Sequence, residues 1–89
     1  MYEWDEGKRG KNLAKHGVDF SAMESFDWDE ALIELDQRKH YGENRFRALG
    51  SIGDRLYSVC FVIRHQSYRI ISLRKANQRE YRKCHAKPN

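Results

Sequence analysis

The chain has 89 residues and a mass of 10.6 kDa; 39% of its residues are hydrophobic, 34% are charged, and the formal net charge is +4. That is room for one domain, 1–89, with one sheet and a few short helices, which excludes an alternating strand–helix barrel, a two-domain dinucleotide enzyme and a long repeat array. No apolar run approaches the roughly 18 residues of a membrane span. The acidic start Met1-Tyr2-Glu3-Trp4-Asp5-Glu6 lacks the basic-then-apolar order of a secretory signal, so a cytoplasmic location is expected.

Tyr2 to Trp4 reads as an edge strand or a lead-in. Asp5 suits a helix N-cap, because its carboxylate can accept from backbone amides two and three residues on. A helix is expected from Glu6 to His16, with Leu13 as its main apolar contact and Gly17 as the left-handed residue that ends it. Asp19 can cap a second helix, Phe20 to Phe26, where Phe20, Met23 and Phe26 recur at helical spacing.

After Asp27 the period changes to two. Ala31 to Asp36 reads as a strand with Ile33 and Leu35 inward and Glu34 and Asp36 outward. Gln37 to Gly42 reads as a turn. Asn44 to Ser51 alternates, with Arg45, Arg47 and Leu49 on one side. Gly53-Asp54 signals a hairpin into Leu56 to Ile63, the most apolar run and the expected central strand. His65-Gln66-Ser67 makes a second turn. In the last strand, Tyr68 to Arg74, strict alternation puts Tyr68, Ile70, Ser72 and Arg74 on one face and Arg69, Ile71 and Leu73 on the other. Ala76 to His85 is helix-compatible, and the end at Pro88-Asn89 is expected to fray. Helices segregated from a strand meander make an α+β fold, with two N-terminal helices, an antiparallel sheet of three to five strands and a C-terminal helix.

Charge is segregated along the chain. Residues 19–36 hold seven acids and no Lys or Arg, whereas residues 69–89 hold seven bases and one acid, Glu80. Such a split suggests a polyanion on one surface and a different partner, or repulsion, on the other. His16, His40, His65 and His85 do not pair at metal-ligand spacing, and Cys60 and Cys84 form no CxxC, so no metal and no cofactor is expected. Cys60 reads as a buried hydrophobe and Cys84 as an exposed thiol.

The bases are more informative. Arg45 and Arg47 share one side of a strand, Arg74 ends the last strand, and Arg79, Tyr81, Arg82 and Lys83 follow on the helix. RNA cleavage needs positive charge on the pentavalent phosphate, an acceptor for the 2′-OH proton and a donor to the leaving 5′-oxygen. Arginine forks fit the first need, and His, Glu or Tyr can move protons. A non-catalytic nucleic-acid-binding module, or one that only docks partners, would use the same charge.

Trp4-Asp5, Lys8, Asn12, Lys15-His16-Gly17-Val18 and Phe20, then Glu43-Asn44-Arg45 with Gly50, then Arg69-Ile70-Ile71-Ser72-Leu73-Arg74-Lys75-Ala76 with Glu80-Tyr81, together resemble the BrnT toxin family across almost the whole chain. The resemblance implies a compact RelE-like ribonuclease fold and a toxin of a type II toxin–antitoxin module. Such a toxin would cleave RNA without a metal, inhibit translation and arrest growth until neutralised by a BrnA-like antitoxin that also represses the operon. Carried over by position, Arg45 and Arg74 would hold the phosphate, and His16, Glu43 or Tyr81 would transfer protons. Lys15, Arg47, Arg79, Arg82 and Lys83 are the expected further RNA contacts.

Overall fold

The computed structural model describes residues 1–37 and 42–85. Most of the turn expected over 37–42, His40 included, and the C-terminal end at Pro88-Asn89 lie outside them. In chain order the elements are β1 (Tyr2–Trp4), α1 (Glu6–His16), a 3-10 helix (Phe20–Ser25), β2 (Leu32–Asp36), β3 (Arg45–Ile52), β4 (Arg55–Arg64), β5 (Ser67–Lys75) and α2 (Gln78–His85). The α+β class stands, with one change to the helices: the second N-terminal helix is 3-10, not α.

Local chemistry sets the boundaries. Asp5 caps α1 by accepting from the Lys8 amide at 2.9 Å. Gly17, at φ 71°, closes it by donating to the Leu13 carbonyl at 2.8 Å. Asp19 accepts from the Ser21 amide at 3.0 Å to start the 3-10 helix. At the other end Asn77 and Glu80 form a reciprocal box. The Glu80 amide donates to Asn77 Oδ1 at 2.8 Å and the Asn77 amide donates to Glu80 Oε1 at 2.9 Å, satisfying two backbone donors of the first turn of α2.

The sheet has five strands in the order β1-β5-β4-β3-β2. It is mixed, not wholly antiparallel, because β1 runs parallel to β5, pairing Tyr2 with Tyr68 and Trp4 with Ile70. The β4 strand is central and buried from Ser58 to Val62, as its apolar run requires. One face carries the main core, where Phe20, Met23, Phe26, Ala48, Val59, Phe61, Ile70 and Leu73 pack together. Phe26 lies so close over Gly50 that a Cβ there would sit 2.5 Å from the ring, so only glycine fits that position. The opposite face carries a smaller cluster of Leu49, Leu56 and Ala76, against which Tyr81 of α2 packs.

Three expectations about packing need correction. Leu13 does not anchor α1; it is 45% exposed, and the buried residue of that helix is Asn12. Ile33 and Leu35 pair with Ala48 and Phe46 and so share the core-side face, yet they are 51% and 45% exposed. The β2 strand is a sheet edge whose core-side face stays open at Ile33 and Leu35, while Asp36 on its other face is buried. Cys84 is half-buried against the smaller cluster rather than exposed.

The fourth correction concerns β5. Its ladder pairs Cys60 with Ser72 but Phe61 with Ile70, so Ile71 is an extra residue at a bulge. An inserted residue shifts the alternation by one. Arg69 therefore pairs with Val62 and shares a face with Ser72 and Arg74, and Ile70 shares the core face with Leu73.

Candidate functional site

The face opposite the main core is lined with arginine. Arg45 and Arg47 come from β3, Arg69 and Arg74 from β5, and Ser58 and Cys60 lie between them on β4. Arg47 pairs with Cys60, which pairs with Ser72, and Arg74 pairs with Ser58, so Arg47 and Arg74 stand diagonally across the central strand.

Glu80 ties these two arginines together. Arg74 donates from Nη1 to Oε1 and from Nη2 to Oε2, both at 2.8 Å, and Arg47 Nη1 lies 3.6 Å from Oε2. The Glu80 side chain is 9% exposed. Its hydrogen bonds from Arg74, then the Asn77 amide and the charge of Arg47, hold the carboxyl below its usual range in spite of burial. Glu80 stays ionised and presents the two guanidinium groups in a fixed geometry. No role was expected for it from sequence, although the Asn77-to-Glu80 capping spacing after a strand was a readable sign.

At the far end of the same face Glu43 is clamped by Arg64, with Nη2 donating at 2.8 Å and Nε at 3.4 Å. That hydrogen bonding, with the charges of Arg64, Arg45 and Arg69, lowers the Glu43 pKa. A carboxylate so stabilised is a weakened proton acceptor. Arg69 lies 3.6 Å from Glu3 of β1. The buried Asp36 stands opposite Arg45 in the β2–β3 ladder, with Cys60 Sγ 4.0 Å from its Oδ2.

His16 arrives from another direction. The short β1 leaves the outer edge of β5 open beyond Ile70, and Asn12 closes it: Nδ2 donates to the Leu73 carbonyl at 2.7 Å and Oδ1 accepts from the Leu73 amide at 3.1 Å. Asn12 also donates to the Val18 carbonyl at 3.1 Å. This side-chain graft docks α1 along β5, and a cleft between them is lined by Lys8, Lys11, Lys15, His16, Ile71 and Ser72. Burial, then the charges of Lys15 and Arg74, push the His16 pKa below 6.5. The imidazole is therefore neutral at pH 7 and able to accept a proton.

The expected residues divide accordingly. Arg45, Arg47 and Arg74 share one face; His16 and Lys15 share the adjoining cleft, and His16 lies within the field of Arg74. Glu43 lies at the Arg64 end. Tyr81 points into the smaller cluster, where its hydroxyl accepts from the Leu56 amide at 3.3 Å and its ring stacks on His85 and under Arg55. Arg79 and Arg82 are exposed on α2, and Lys83 is held by Glu34 at 2.7 Å. Lys8 and Lys11 carried no expected RNA role. Their spacing with Lys15 on one helical face was the available signal. Among the described residues no group of three His, Cys, Asp or Glu side chains gathers into a metal-ligand set, and no helix is long and apolar enough to cross a membrane.

Comparison with curated proteins returned no match. A family profile matches residues 4–80, described as "Ribonuclease toxin, BrnT, of type II toxin-antitoxin system". The matched span includes His16, Glu43, Arg45, Arg47, Arg74 and Glu80 and stops short of Tyr81. The chain thus belongs to the BrnT family of ribonuclease toxins of type II toxin–antitoxin systems.

Proposed function

We propose that this toxin is a metal-independent endoribonuclease whose centre lies where the arginine face meets the His16 cleft. The observation that carries the reading is the juxtaposition of a neutral, half-buried imidazole with the field of Arg74, which Glu80 holds rigid alongside Arg47. His16 takes the 2′-OH proton as that oxygen attacks the adjacent phosphorus. Arg74, with Arg45 and Arg47, stabilises the charge that gathers on the pentavalent phosphate. The P–O5′ bond then breaks, the 5′-oxygen takes up a proton, and a 2′,3′-cyclic phosphate is left. Glu43, bound to Arg64, and Tyr81, turned toward Leu56, are less suited to accept the proton. The α+β sheet with its C-terminal helix supports reading the fold as RelE-like. In the cell, RNA cleavage would inhibit translation and arrest growth, and a BrnA-like antitoxin would neutralise the toxin and autoregulate the operon.

The test is cleavage of a defined single-stranded RNA by antitoxin-free protein in EDTA. Wild type should cut it, and Arg74→Ala should lose about 100- to 1,000-fold in rate, the scale expected when one preorganised charge donor is removed. Full activity in Arg74→Ala, or activity that vanishes with EDTA, overturns the reading.

A further inference from the structure

Lys8, Lys11 and Lys15 recur three and four residues apart, so they share one face of α1. They run over about 10 Å of helix axis. Several other cations near the sheet are matched by carboxylates: Arg9 by Glu6 and Asp19, Arg64 by Glu43, Arg69 by Glu3, Arg74 by Glu80 and Lys83 by Glu34. Among the described residues none of the three lysines is ion-paired, and all are exposed. Like charges at this spacing repel each other on a helix, so folding alone does not call for the arrangement.

The lysines are also not on an open convex surface. They border a cleft that is also lined by His16 and by Ile71 and Ser72 at the bulge of β5. Ser72, which lines the cleft, shares its face of β5 with Arg69 and Arg74, so the cleft adjoins the arginine face. Groove, unpaired charge and reaction centre are therefore continuous.

We propose that this cleft is a binding track for the sugar–phosphate backbone of single-stranded RNA, with Lys8, Lys11 and Lys15 contacting successive phosphates beside the scissile one. The identity of the ligand rests on the ribonuclease reading above; the charge and shape of the cleft do not. A groove of ammonium groups reads backbone charge and not base identity, so the track adds affinity without sequence preference.

The probe is a single-stranded 2′-O-methyl RNA oligonucleotide, which lacks the attacking hydroxyl, titrated by fluorescence anisotropy over a range of salt concentrations. Replacing three phosphate contacts should flatten the slope of log affinity against log salt by about 2, at roughly 0.7 per contact on a single strand. Lys8→Gln/Lys11→Gln/Lys15→Gln should show that loss while keeping the wild-type circular dichroism spectrum. Lys8→Arg/Lys11→Arg/Lys15→Arg should keep the wild-type slope. An unchanged slope in the Gln triple, or a wild type with no salt-dependent affinity, overturns the track. If the Gln triple instead loses affinity for polyglutamate and keeps its RNA slope, the cleft seats an acidic peptide and the proposal fails. Cleavage of unmodified RNA by wild type, measured in parallel, separates the two readings. Slope loss with no wild-type cleavage keeps the track and sinks the ribonuclease reading; cleavage with an unchanged slope does the reverse.

Discussion

Glu80 does two jobs with one carboxylate. It closes the capping box of α2 and holds Arg74 and Arg47 on the sheet, so the helix and the site depend on each other. Glu80→Ala leaves Arg74 facing an almost buried gap and should cost about 2–4 kcal/mol at pH 7, between the loss of a charged hydrogen bond and the breaking of a buried pair. Because the folded pKa of Glu80 lies below 4.5, the unfolded chain binds more protons between the two values. The stabilisation is complete above the unfolded pKa and disappears as pH falls through the folded one. Urea melts of wild type and Glu80→Ala should differ at pH 7, and the difference should shrink as pH falls below 4.5. For His16 the sign is opposite in use: its lowered pKa keeps the acceptor form available. The wild-type rate should rise with pH through an inflection below 6.5 and then level. His16→Ala should lose about 100- to 10,000-fold, as for removal of a general base, and its profile should lose that inflection. A profile unchanged in His16→Ala would remove the imidazole from the mechanism.

The elements whose ends carry distinctive chemistry were legible beforehand. Asp5, Gly17 and Asp19 cap as their residue types dictate, and both hairpins turn where Gly53-Asp54 and His65-Gln66 stand. The second hairpin is strained, because His65 and Gln66 sit at φ 50° and 65° and neither is glycine. A side chain in that conformation costs roughly 1–2 kcal/mol. Gln66→Gly should therefore gain about 1 kcal/mol, read as a rise of about 4–8 °C in Tm; a fall would show that the side chain has a compensating contact. The bulge at Ile71 was not legible, since an extra residue leaves no mark on composition. Reading strict alternation put Arg69 on the wrong face. Nor could residue types reveal that Asn12, and not Leu13, docks α1, because the attachment is to the backbone of a strand 61 residues away.

At the scale of the whole molecule, the segregated charge of the sequence folds back on itself. Asp19 pairs with Arg9, and the hydrogen bonding holds its pKa at about 2. Glu34 meets Lys83, joining the acidic stretch to the basic one. The −7 segment is therefore not one intact acidic surface. What stays exposed on the core-side face is apolar: Ile33 and Leu35 on edge strand β2, and Ile63. Unpaired apolar edges favour self-association. Ile33→Thr with Leu35→Thr should shift stability by no more than about 1 kcal/mol, as half-exposed positions allow. The same variant should show less concentration-dependent association of the free chain by light scattering; unchanged association would clear this edge.

Periodicity, caps and turn residues are local properties, and they determined the order of the elements and the central strand from sequence alone, while the residue identities themselves carried the family resemblance. Which of the matching residues meet was decided only by the tertiary structure. One bulge reset the facing of β5, one short strand left an edge for Asn12 to close, and one buried carboxylate drew Arg47 and Arg74 together. Each depends on strand register or on packing between elements, which no local window contains.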